Sequence, residues 1–302
     1  MIGERWQSVM VHMEQHRAGE DQKDPPDDPM KFANAIEEYS NLHCKGGVID
    51  REDCKWYHGS WKYLKYLGLV SCPEWHKSFY ISNIVSHINS IERNVKILIS
   101  GAADDGTFSV VTLALQSARH AGEIVVLDMC PTPVYTSLLS AQGKNIKDIH
   151  GVQAIIPFTT FPNDYFDIIV TDAFLTRFLK EEKLEIVPEW KRILKTGGIV
   201  LTTARVENAK TETVIADKSS QNDYVLAAQE IGRAKGLDVD DIKNRAKTYA
   251  EKITSHPFND LDEIKTLFTG FTVEAGIADN DFVEIVPRKY ARIRAKKEGV
   301  AV

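Results

Sequence analysis

The sequence predicts an α/β fold: a doubly wound, mostly parallel sheet of seven strands, with a helical cap before it and a helical insertion after strand five. Three observations predict it. Short β-branched runs at Val95–Ile99, Glu123–Leu127, Phe166–Thr171 and Ile199–Ala204 read as strands buried on both faces. Segments with apolar residues at helical spacing separate these runs, and that alternation implies parallel strands joined by helical crossovers. The stretch from Asn94 to Asp128 reads strand, tight glycine turn, helix, strand.

That last unit carries the strongest functional signal. The first strand breaks at Gly101, and small residues there let backbone approach a ligand. The following helix, with Phe108, Val111, Leu115 and Ala118 on one face, would present free N–H groups at its start. Gly122 is expected to end it, and the second strand closes on Asp128. A carboxylate at that strand end can accept hydrogen bonds from two ribose hydroxyls. Turn and acid together predict a nucleoside site at the carboxyl edge of the sheet.

Composition bounds the alternatives. The 302 residues allow one large domain or one domain with a substantial addition, and 43% hydrophobic residues supply a core. A net charge of −6 argues against a broad grip on nucleic acid. The four cysteines, Cys44, Cys54, Cys72 and Cys130, form no C-x-x-C pair. A zinc knuckle is therefore not supported, no metal is expected, and free thiols in a reducing cytoplasm are the default. The charged N-terminus is no secretory signal, and no apolar run is long enough to span a membrane.

In chain order, a short helix carrying Trp6, Val9, Val11 and Met13 is expected first, then a polar, proline-bearing link. A helix follows from about Pro29 to Leu42. Cys54–Tyr80 concentrates aromatic residues on two helices, one ending near Gly68 and one opening at Pro73. Most of these rings read as core, while Tyr57, His58 and Trp61 are placed to close over a cationic ligand, which aromatic faces attract. Residues 1–92 thus read as a cap or lid and 93–302 as the α/β domain. Later helices are expected at 133–142, around Leu175–Leu179 and around Ile186–Leu194, and strand three near Asp148–Ile155. Asp128, Asp172 and Arg205 each follow a strand and should face one cleft. Residues 207–257 break the alternation and read as an inserted helical pair, either a solvated excursion, a substrate lid or a contact in a homodimer. A helix at Asp260–Phe268 and strands at Phe271–Ala275, Phe282–Ile285 and Tyr290–Ala295 complete the chain before a frayed tail.

With these elements placed, the sequence resembles the class I S-adenosylmethionine (SAM)-dependent methyltransferases, whose fold is Rossmann-like. The marks are ILISGAADDGTF, IVVLD, FDIIVTDAF and EWKRILKTGGIVLTT, and they cover roughly residues 94–206. The resemblance implies SAM as cofactor. It implies that Gly101, Ala102 and Ala103 approach the methionine part, that Asp128 binds ribose, and that Met129 flanks adenine. By the same likeness Gln153 and Ala154 lie by the adenine amino edge, and Thr171, Asp172, Ala173 and Phe174 line the transfer site. Two positions depart from the family pattern. Ile99 stands where an acid is usual, so Asp104 or Asp105 would face the methionine amine, and Gln153 replaces a second acid while keeping an acceptor for adenine.

The expected reaction is in-line transfer of a methyl group to a small molecule, with Tyr57, Asp172 and Arg205 as catalytic candidates and Arg177 or Arg205 clamping a substrate carboxylate. No Asp-Pro-Pro-Tyr-like tetrad follows strand four, which disfavours nucleic-acid bases as substrates. Two alternatives stay open. One is intramolecular attack by the cofactor's own amine, giving azetidine-2-carboxylate and methylthioadenosine. The other is a non-catalytic nucleoside-binding module.

Overall fold

The computed structural model describes residues 11–13, 28–44, 53–278 and 288–299. Its centre is one sheet. The strands are β1 (Val11–Met13), β2 (Val95–Ser100), β3 (Gly122–Asp128), β4 (Ile149–Gln153), β5 (Phe166–Val170), β6 (Leu194–Val206), β7 (Phe271–Ile277) and β8 (Lys289–Lys297). They lie in the order β1-β4-β3-β2-β5-β6-β8-β7. β4 through β6 run parallel, while β8 pairs antiparallel with both β6 and β7. Seven of the expected strand segments are present as β2 to β8, and Phe282–Ile285 lies outside the described residues. An eighth, β1, joins at the edge.

β1 corrects the first expectation. Val11–Met13 pairs antiparallel with Gly151–Gln153 of β4 and is not helical. An edge strand leaves a row of unpaired N–H and C=O groups, and an added strand satisfies them. Trp6, Val9 and the polar link lie outside the described residues.

The helices are α1 (Pro29–His43), α2 (Lys55–Tyr66), α3 (Lys77–Ile88), α4 (Gly106–Ala118), α5 (Pro131–Gly143), α6 (Lys180–Ile193), α7 (Lys218–Ala234), α8 (Val239–Lys252) and α9 (Leu261–Leu267). Asp28, Asp217, Asp238 and Asp260 cap α1, α7, α8 and α9 through their carboxylates. Several boundaries differ from expectation, and β6 already begins at Leu194, where the sequence predicts the strand from Ile199. Arg119, in the left-handed region with φ 51°, ends α4, and Gly122 already belongs to β3. Pro73 opens a short 3-10 turn to His76 before α3 begins. Phe174–Arg177 is likewise one 3-10 turn, because Ala173 at φ 48° redirects the chain there. Among the described residues no helix is long and apolar enough to cross a membrane.

The core has three parts. One sheet face packs α6 and α9 through Trp190, Ile193, Ile264 and Phe268. The other packs α3, α4 and α5, with Tyr80, Ile84, Phe108, Val111 and Val134 fully buried or nearly so. α3 therefore covers the sheet, although the sequence groups it with the cap. The third part joins Trp61, Tyr63 and Leu64 of α2 to Tyr224, Ala228, Ile242, Ala246 and Tyr249 of α7 and α8. The inserted pair is thus no solvated excursion. Each helix has one apolar stripe, and the stripes of cap and insertion bury one another.

Candidate active site

Strand direction positions the site. The chain winds outward from β2 through β3 to β4, then returns to β5 on the other side of β2, so the sheet has a switch point beside β2. Crevices outside the carboxyl ends of strands form at such points. A cavity of about 540 Å³ opens there, within the range usual for small-molecule sites. Its floor is the Gly101 turn, Asp128–Cys130 and Asp172–Phe174; its roof comes from α2 and α8.

Asp128 ends β3 opposite Gln153 of β4. Its Oδ2 accepts the Ala102 amide at 3.0 Å, and its Oδ1 accepts the Cys130 amide at 2.8 Å. These bonds tie the glycine turn to the neighbouring strand end and fix the carboxylate plane. A carboxylate has about four lone-pair sites, so two stay available. Burial pushes the Asp128 carboxyl above its usual range, while His58 and the two amides pull it back. Gly101, at φ +76°, makes the turn, and a Cβ added there would lie 2.2 Å from the Phe174 ring. Only glycine fits both the dihedral and the ring.

The Asp104–Asp105 turn is held from the cap. Lys65 donates to Asp104 at 2.8 Å and to Glu74 at 2.6 Å. Lys62 lies 3.1 Å from Asp104 and also pairs with Asp105, which accepts from Ser140 as well. The Gly106 amide takes the other Asp104 oxygen at 2.9 Å. Burial raises the Asp104 pKa, but Lys62 and Lys65 outweigh it and hold the carboxyl well below its usual range. Asp104 lines the cavity, but Lys62, Lys65 and the Gly106 amide take three of its about four lone-pair sites, which leaves one for the expected methionine amine. The position held by Ile99 stays apolar and fully buried.

Asp172 follows β5. Its Oδ1 accepts Tyr80 Oη at 2.8 Å and Thr203 Oγ1 at 2.7 Å, and Thr203 in turn accepts the Ala173 amide at 3.0 Å. One oxygen is thereby locked, and Oδ2 has no protein partner among the described residues. Thr171, grouped with Asp172 by the sequence, does not reach the cavity. It is fully buried, and its carbonyl accepts Tyr80 Oη at 2.8 Å. Ala154 lines a smaller recess of about 50 Å³ beside Met129 and Phe174. Gln153 donates to the Met129 carbonyl at 3.1 Å, which leaves its own carbonyl as an acceptor.

The roof is aromatic. Tyr57 lies 5.0 Å from Trp61 and 6.2 Å from Tyr249, and Trp61 lies 6.4 Å from Tyr249, centroid to centroid. Burial, then the neighbouring Tyr249, raises the Tyr57 pKa far above its usual value, so the phenol stays neutral. Trp61 Nε1, Ser71 Oγ and Arg205 Nε are buried donors on residues lining the cavity, without a partner among the described residues. Arg205 otherwise donates to Ser255 at 2.7 Å and pairs with Glu207. Arg177 donates to the Thr254 carbonyl and lies 5.7 Å from the Tyr57 ring centroid.

The structure thus gathers Tyr57, Trp61, Gly101–Asp104, Asp128, Met129, Gln153, Asp172–Phe174 and Arg205 around one cavity. Sequence reasoning missed Tyr249 as a site residue. Its helical spacing marked it as an apolar-face residue, and nothing local says that the face meets α2. Tyr80 and Thr203, which hold Asp172, carried no local signal either.

Switch-point cavity, strand-end acid and strand order are those of the Rossmann-like methyltransferase fold. Residues 106–202 match a family model described as a methyltransferase domain. No curated protein matches the sequence. Among solved structures, phosphoethanolamine N-methyltransferase 2 of Haemonchus contortus, bound to phosphomonomethylethanolamine and S-adenosylhomocysteine, is similar with a TM-score of 0.50 and 11% identity over 78% of this chain and 56% of that one. A SAM-dependent methyltransferase of Methanosarcina mazei is 18% identical, with a TM-score of 0.45, over 70% of this chain and 96% of that one.

Proposed function

We propose that the protein binds S-adenosylmethionine in this cavity and transfers its methyl group to a small molecule. The observation that carries the reading is Asp128: a buried carboxylate, held by two backbone amides against the glycine turn, with lone pairs left for two ribose hydroxyls. The bound sulfonium faces Tyr57, Trp61 and Tyr249, whose ring faces attract a cation. Trp61 Nε1 and Arg205 Nε, both buried donors, suit a carboxylate on cofactor or acceptor, because an unmet donor there is costly. Asp172 Oδ2 takes or orients the acceptor's proton, and the neutral Tyr57 phenol shapes the site without acting as a base. Cap and insertion together exclude water from the in-line displacement, in which alignment supplies much of the rate.

The closed aromatic roof also favours a second reading, in which the cofactor's own amine attacks its side chain and no acceptor enters. Mass analysis of purified protein incubated with SAM separates the two. Formation of S-adenosylhomocysteine only when an acceptor or cell extract is added supports methyl transfer. Methylthioadenosine formed from SAM alone replaces it with cyclisation. Failure to bind SAM in calorimetry overturns both.

A further inference from the structure

Four side chains that the proposed reaction does not use converge on one point of the cavity wall. Cys44 ends α1, Cys54 precedes α2, His58 sits in the first turn of α2, and Cys130 precedes α5. Cys44 Sγ lies 3.4 Å from Cys130 Sγ and 3.5 Å from His58 Nδ1, and Cys54 Sγ lies 3.7 Å from Cys130 Sγ. All four ligand atoms fall within 4.8 Å of one another, and none of the cysteines is disulfide-bonded.

We propose that these residues bind one zinc ion, tetrahedrally, as a Cys3His site. The spacing supports it. Zinc–sulfur bonds of about 2.3 Å and zinc–nitrogen bonds of about 2.0 Å put tetrahedral ligand atoms about 3.8 Å apart for two sulfurs and about 3.5 Å apart for sulfur and nitrogen. The donor set supports it too. Three thiolates and an imidazole select a borderline-soft ion over magnesium or calcium, and ligand atoms this close together surround a single ion rather than a cluster. On binding, each thiol gives its proton to solvent, and no oxidation state changes. Thr132 Oγ1, 3.0 Å from Cys44 Sγ, donates to one thiolate from outside the ligand shell.

Four protein ligands close the coordination sphere, so the ion is structural and activates no water. Its position assigns its task. It fastens both cap helices to the turn after β3, where the Cys130 amide already holds Asp128. The aromatic roof and the strand-end acid are thereby kept at a fixed separation. This inference concerns the fold and stands whether or not SAM is the cofactor.

The test is metal analysis of the full chain purified without chelator. One zinc per chain, with three sulfurs and one nitrogen in its X-ray absorption spectrum, is the expected result. Cys54→Ser and Cys130→Ser should lose most of the zinc, whereas Cys72→Ser, buried away from the cluster, should keep it. Should the first two variants fail to fold, chelator-stripped wild-type protein titrated with cobalt(II) alone should develop thiolate-to-cobalt absorption that zinc then removes. Metal-free protein that gives no such band, or an intact mass showing a disulfide among these cysteines, overturns the proposal. A different ion at full occupancy overturns the assignment to zinc.

Discussion

Asp128 spends two lone pairs on the amides of Ala102 and Cys130, and the remaining two are what a ribose would use. Asp128→Asn keeps the shape, replaces one acceptor oxygen by a donor and removes the charge. Hydrogen bonds to charged groups contribute about 1.5–3 kcal/mol, so SAM affinity in calorimetry should fall roughly 10- to 100-fold with the circular dichroism spectrum unchanged. Gly101 is constrained twice, by its dihedral and by the Phe174 ring. Gly101→Ala should cost about 1–3 kcal/mol in denaturant unfolding. Adding Phe174→Ala should restore only part of that, since it relieves the clash and leaves the positive φ.

At the scale of elements, α8 supplies one wall of the roof. The stripe Ile242, Ala246, Tyr249 packs against α2, which brings Tyr249 to Tyr57 and Trp61. Cation–aromatic attraction is worth about 0.5–2 kcal/mol. Tyr249→Leu should therefore weaken SAM by a few-fold to roughly 30-fold while changing the affinity for neutral S-adenosylhomocysteine little, as titration of both ligands would read. Equal losses for the two would assign Tyr249 to packing alone. α2 holds the turn from the other side, since Lys62 and Lys65 reach down to Asp104 and Asp105.

Across the molecule, the sheet is locked at the end opposite the cavity. Asp167 on β5 accepts Arg93 and the Lys96 amide at 2.8 and 2.9 Å and Lys195 at 3.1 Å, joining the entry to β2 with β5 and β6. Burial raises its pKa, but Arg93, the amide and Lys195 lower it more, to a net value below the usual one. A carboxyl depressed on folding stabilises the native state above its unfolded pKa of about 3.9, and that contribution fades as pH falls through the folded value. Asp167→Asn should cost about 2 kcal/mol near pH 7. The gap to wild type, measured by urea unfolding, should close as pH drops below about 4; a gap that widens in acid would contradict the assignment.

Much of this was legible in the chain itself. β-branched runs bounded by glycine, and apolar positions at helical spacing, specify strands and helices through local sterics and local burial. That is why the parallel sheet, the Gly101 turn, Asp128 and the aromatic character of α2 could be read directly. Other features arise only when distant segments meet. Val11–Met13 is a strand because β4 leaves an open edge, and the bend at Ala173 before the single turn Phe174–Arg177 is held by Thr203 of β6, which accepts the Ala173 amide. Asp104 turns toward the lysines of α2, Thr171 points into the core, and Tyr249 becomes part of the roof only through the packing of α8. Cys44, Cys54, His58 and Cys130 share no short motif, and only the docking of cap on sheet brings their ligand atoms together. Periodicity is a property of neighbours along the chain, whereas coordination, ion pairing and the walls of a cavity depend on contacts that the whole fold must first close.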